Sequence, residues 1–127
     1  MIRVLESICQ GPIRFLPDKA AKLEPGLIAQ LIEIDGTPVC TLSDGTRPFG
    51  MIGEIDGPFG LVSVWFDSMI LRTDKFERRE SYAPGNSLYV SKRGRLTTKK
   101  MMETSQLVGH VISGPDNKQN YLELNWI

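Results

Sequence analysis

Leu27-Ile28-Ala29-Gln30-Leu31-Ile32-Glu33-Ile34, then Asp35-Gly36, then Thr37-Pro38-Val39-Cys40-Thr41-Leu42, is the passage that decides the fold. Two short apolar runs flank an Asp-Gly pair, and that pair supplies the positive φ that a tight hairpin turn demands. Asp44-Gly45, Asp56-Gly57 and Arg93-Gly94 repeat the device further along. Between them lie strand-like segments near 49–55, 61–66, 69–73, 87–91, 94–98, 107–113 and 120–126. With 27–34 and 37–42 this makes about nine short strands, a spacing that argues for a small all-β barrel or sandwich. Helical periodicity is confined to Asp18-Lys19-Ala20-Ala21-Lys22-Leu23-Glu24, which Pro25-Gly26 cuts short after two turns at most.

At 127 residues the chain is expected to be a single domain, since halves of it would bury too little apolar surface. Its 41% apolar and 24% charged residues are ordinary for a globular protein. Residues 1–25 read differently from the rest. Gln10-Gly11-Pro12-Ile13-Arg14-Phe15-Leu16-Pro17 has two prolines and no clear period, so 1–25 is expected to be an extended arm or an edge segment on a barrel of 26–127.

An internal echo runs through the strands. Met51-Ile52-Gly53-Glu54-Ile55 and Leu107-Val108-Gly109-His110-Val111 each carry one central glycine and lead to a Gly-Pro. Each follows a strand that breaks at a glycine turn: Val39 to Gly45 before the first, Leu88 to Gly94 before the second. A glycine inside a strand marks a bulge or a close backbone approach. The echo suggests two related halves wrapped into one barrel.

Net charge is zero, but it is unevenly placed. Residues 1–71 hold five basic and nine acidic side chains, 72–100 hold nine and three, and 101–127 hold one and three. Such a division points to contacts between unlike patches, within or between molecules.

Chemistry is harder to find. Ser43, Asp44 and His110 are the residue types of a nucleophile, acid and base, yet no Gly-x-Ser-x-Gly elbow surrounds the serine. The acids near turns, Glu33 with Asp35 and Glu54 with Asp56, are explained by turn chemistry. Gly50-Met51-Ile52-Gly53 lacks the lysine of a phosphate loop, and alternating calcium-loop acids are missing. One histidine and no Cys-x-x-Cys leave no ordinary zinc set. No catalysis, cofactor or metal is therefore expected. Cys9 and Cys40 are expected to be free buried thiols. The start, Met1 to Glu6, does not read as a signal peptide, and no apolar run approaches a bilayer span, so a cytoplasmic site of synthesis and no membrane are expected.

The basic stretch interleaves Phe76, Tyr82 and Tyr89, a mixture that suits single-stranded nucleic acid on a β-barrel. A whole-chain pI near 6.6 argues against a dedicated nucleic-acid binder.

Thr73-Asp74-Lys75-Phe76-Glu77, the run from Tyr82 to Ser91, Gly94-Arg95-Leu96-Thr97 and Val108-Gly109-His110-Val111 together resemble virion structural proteins of tailed phages. Within that class they are most similar to the small capsid decoration, or cement, proteins, with their hairpin pattern G-x-x-L-Y-V-S-x-x-G-x-L-T and a following V-G-x-V strand. The resemblance covers roughly 26–127 and leaves the first 25 residues unmatched. It implies a barrel or β-tulip seated on the outside of an assembled head, with the major capsid protein as partner and the protein itself a trimer or dimer. A tail, neck or baseplate component is the alternative within virions. For such a protein the adhesive residues are expected among anchors, since interface energy concentrates in aromatic and arginine side chains. The candidates are Arg14 and Phe15 in the arm, Arg47 and Phe49 after the Asp44-Gly45 turn, and Arg72, Arg78, Arg79 and Tyr82 in the basic segment. Trp65 is assigned to the interior.

Overall fold

The computed structural model describes residues 2–7, as backbone, and 11–56, 60–116 and 118–127. Its secondary structure is all β. Eleven strands are present among these residues: β1 Ile2–Ser7, β2 Ile13–Pro17, β3 Ile28–Ile34, β4 Thr37–Leu42, β5 Gly50–Ile55, β6 Val62–Trp65, β7 Met69–Thr73, β8 Ser87–Val90, β9 Leu96–Thr97, β10 Gly109–Ser113 and β11 Leu122–Trp126. The segment 18–24 forms turns rather than a helix, with the Asp18 carboxylate accepting from the Ala20 amide and the Thr41 hydroxyl.

β2, β4, β3, β5 and β6 close into a barrel in that order. Every contact in it is antiparallel except β2 with β4, where Leu16 and Pro17 run parallel to Val39 and Cys40. The remaining six strands form a sheet ordered β1, β7, β11, β10, β8, β9. Adding five to each barrel strand number reproduces the second unit. β3–β4 corresponds to β8–β9, β5–β6 to β10–β11, and β2 on β6 to β7 on β11, all antiparallel. Even the parallel closure leaves a trace, a single bridge between Phe76 and Leu96. The expected halves thus exist as two sheets of one topology, one closed and one open, rather than as a single barrel.

The echoed glycines fall on equivalent strands, β5 and β10. A Cβ on Gly53 would lie 2.7 Å from the Trp65 indole nitrogen, and one on Gly109 would run into the Asn125 carbonyl. Close approach therefore fixes both residues. The preceding strands named with them, β4 and β8, are not equivalent by topology.

The described strands within 1–25, expected as an arm or an edge segment, divide between the two sheets. Residues 13–17 are a barrel strand with partners on both sides, and residues 2–7 pair with β7 of the other sheet. Pro12 precedes β2 and Pro17 ends it, positions where a missing donor breaks no interior ladder bond.

Two cores follow from this arrangement. Leu27, Ala29, Cys40, Ile52, Val62 and Val64 fill the barrel, with Phe15, Leu31 and Phe49 packed on them. Small side chains suit a tight five-stranded interior. Burial pushes the Cys40 thiol up to about 11, which leaves it protonated and inert at neutral pH. Cys9 lies outside the described residues. The second core holds Phe76, Tyr82, Leu88, Leu96, Leu124 and Trp126, together with Ile28 and Met51 from the barrel wall. Ile28 and Met51 are register partners, and Trp65 stands opposite Met51. That outward row joins the two units.

Candidate interaction surfaces

Three of the eight anchor candidates turn inward. Phe15 is half-buried against the barrel core and meets Phe49 edge-on, with ring centroids 5.7 Å apart and planes at 88°. Phe49 in turn lies 5.1 Å from Phe66. Tyr82 is buried, its hydroxyl donating to the Glu77 carbonyl at 2.6 Å, with the Leu96 carbonyl at 3.3 Å. Burial, reinforced by the Glu80 and Glu77 carboxylates, holds this phenol far above the ordinary tyrosine range. It is a structural post rather than an adhesive ring. Phe76 packs edge-on to it at 5.3 Å and is itself buried. Two of the three aromatics that could have stacked on bases are therefore core residues.

The arginines divide between the units. Arg14 on β2 and Arg47 in the β4–β5 loop are exposed on the barrel. Arg47 shares a groove of about 500 Å³ with Ile32, Glu33 and Pro38. Arg72 on β7 is half-buried, its Nε donating to Glu123 at 3.0 Å while its guanidinium sits 4.6 Å from the Tyr121 ring centre. That arginine is occupied within the sheet. Arg78 and Arg79 are exposed, and Arg78 lies 4.3 Å over the Phe76 ring and donates to the Asp74 carbonyl. The eight candidates therefore do not form one patch.

Two glutamates organise the basic segment. Glu77 accepts from Arg93 and from the Ser91 hydroxyl at 2.7 Å. The Arg93 hydrogen bond, more than any other cause, holds the Glu77 carboxyl below its usual range. Glu80 accepts from the Thr97 and Thr98 hydroxyls and from the Thr98 amide, all within 2.9 Å. With these carboxylates engaged, Lys92 and Lys99 remain exposed and, among the described residues, without an ion-pair partner. They line a groove of about 330 Å³ with Arg78, Arg93, Met101 and the two engaged carboxylates, Glu77 and Glu80.

A second surface lies at the end of the β3–β4 hairpin. Residues 33–38 are all exposed, although Glu33 with Pro38 and Ile34 with Thr37 stay in regular register. Asp35 and Gly36 have φ of 51° and 79°, the paired left-handed turn that continues strand twist without splaying the strands. The end of the hairpin therefore projects as a stiff finger, with Ile34 46% exposed between two carboxylates. The Asp-Gly turn was legible; its projection beyond the wall was not.

Ser43, Asp44 and His110 are not assembled. The buried Ser43 hydroxyl accepts from the Gly45 amide, and Asp44 accepts from the Thr46 amide and hydroxyl. His110 stands in β10 opposite Asn125 and Ser87, on the other sheet. Among the described residues no cluster of three metal-ligating side chains occurs, and no helix is long and apolar enough to cross a membrane. No protein-family model matches this chain, and a search of curated proteins finds no relative.

Proposed function

We propose that the protein is a phage virion component, specifically a decoration protein that binds the outer surface of the assembled head and stabilises the shell. One observation carries the reading. The pattern of residues 85–97 that resembles cement proteins forms one continuous hairpin, β8, turn and β9, tied down by Glu77 and Glu80 and edged by exposed cations. A decoration protein needs a stiff frame and an adhesive rim more than a cavity. A standard stable contact buries about 800 Å² per partner. Repetition over a lattice lets individually modest contacts add up through multivalency. The burial of Phe76 and Tyr82 weighs against the reading as a single-strand nucleic-acid barrel.

The test is reconstitution. Purified protein added to expanded heads that lack it should bind and raise the temperature at which they rupture. Absence of binding to any head lattice would overturn the proposal. Copy number in the native particle sharpens the answer, because hundreds of copies mean shell and a handful mean tail, neck or baseplate.

A further inference from the structure

The two units carry opposite charge. Residues 11–66 hold four basic and seven acidic side chains, whereas 67–127 hold ten and seven. The acidic unit carries the exposed finger Glu33-Ile34-Asp35-Gly36, and the basic unit carries the groove of Met101 with four cations, Arg78, Lys92, Arg93 and Lys99, and two carboxylates, Glu77 and Glu80, that already accept hydrogen bonds from within the unit. Glu33 and Asp35 have no ion-pair partner among the described residues. Met101 is 55% exposed at the groove, an apolar spot among cations, just as Ile34 is an apolar spot between carboxylates. We infer that the finger of one copy docks in the β8–β9 groove of a second copy, Ile34 against Met101 and the carboxylates against Lys92 and Lys99.

Geometry selects a second copy over the chain's own groove. The Ile28 amide, at the start of β3, donates to the Gly94 carbonyl in the turn that bears Lys92. The finger tip lies seven residues further along β3, roughly 23 Å away at about 3.3 Å per residue. Finger and groove thus lie at opposite ends of one strand, too far apart to meet within a chain. A contact between unlike surfaces at opposite ends is heterologous, so it builds a closed ring if the rotation between copies closes and a filament if it does not. The β3–β4 ladder and its turn hold the finger in shape before docking, which limits the ordering cost of binding. This inference concerns the isolated chain and does not depend on the decoration reading.

Sedimentation at increasing protein concentration tests it, in about 50 mM and about 500 mM salt, since exposed charge contacts are screened over a Debye length. Wild-type protein should associate at low salt and dissociate at high salt. A finger variant, Glu33→Lys with Asp35→Asn, keeps a residue that tolerates the left-handed turn and should weaken association about tenfold or more. A groove variant, Lys92→Glu with Lys99→Glu, should do the same. The deciding experiment mixes the two. Each retains one intact surface, so together they should form a one-to-one complex that grows no further. A wild-type chain that stays monomeric at low salt would overturn the inference, as would variants that associate like wild type or a mixture that stays monomeric. Unchanged thermal melting of both variants, each altered only at exposed side chains, keeps loss of association distinct from loss of fold.

Discussion

The closed barrel and the open sheet share one strand order and solve the same problem differently. In the barrel, β2 reaches both neighbours and the wall seals around small side chains such as Ala29, Cys40, Val62 and Val64. In the second unit β1 occupies the free edge of β7, and closure shrinks to the bridge between Phe76 and Leu96. There the interior is packed by Phe76, Tyr82 and Trp126 and by Ile28 and Met51 from the barrel wall. One topology therefore supports two kinds of core: a narrow one sealed by backbone pairing, and a wider one sealed by aromatic volume and a neighbour.

The strongest way to break this comparison is Phe76→Ala. Removing the ring from an unsealed core is expected to cost about 3–5 kcal/mol in urea unfolding. A cost below about 1 kcal/mol would mean that aromatic volume does not replace closure. Next comes Ala29→Leu in the barrel, where Ala29 is fully buried. Overpacking a sealed five-stranded wall should cost about 1–3 kcal/mol, and a neutral result would show that the barrel has slack.

Glu77→Gln gives the smallest expected effect. Because Arg93 lowers the folded-state pKa of Glu77, its contribution is present above the unfolded glutamate range near pH 4.3 and lost as pH falls through the lower folded value. Arg93 is largely exposed, so the variant should lose about 1 kcal/mol or less at pH 7. Melting curves at pH 7 and pH 3 should show that difference shrinking on acidification. A gap unchanged at pH 3 would mean that the carboxylate charge does not tie the open unit's hairpin.

The strands from Ile28 to Trp126 were legible because short apolar runs between Gly turns write themselves into sequence, with alternating burial added in β7, β8, β10 and β11, and all nine expected segments contain one. β2 was legible only as an arm or an edge segment, not as a strand paired on both sides. Its parallel and antiparallel neighbours leave Ile13 and Leu16 exposed and only Phe15 packed on the core, so the alternation that signals a half-buried strand is missing. The charge block at 72–100 was also legible, but not which of its charges are occupied. Arg72 and Glu123 are 51 residues apart, and no local pattern announces their pairing. Tyr82, a tyrosine among arginines, looks the same in sequence whether it faces a partner or a core.

The β1–β7 pairing has a consequence for the order of events in folding. β1 is synthesised ahead of the barrel, yet its partner emerges only after all five barrel strands, so the ladder from Ile2 to Thr73 encloses the whole first unit. Contacts of such long sequence separation form late. On the ribosome the barrel can seal while β1 waits, and lesions in that strand should leave the barrel intact and fall on the second unit.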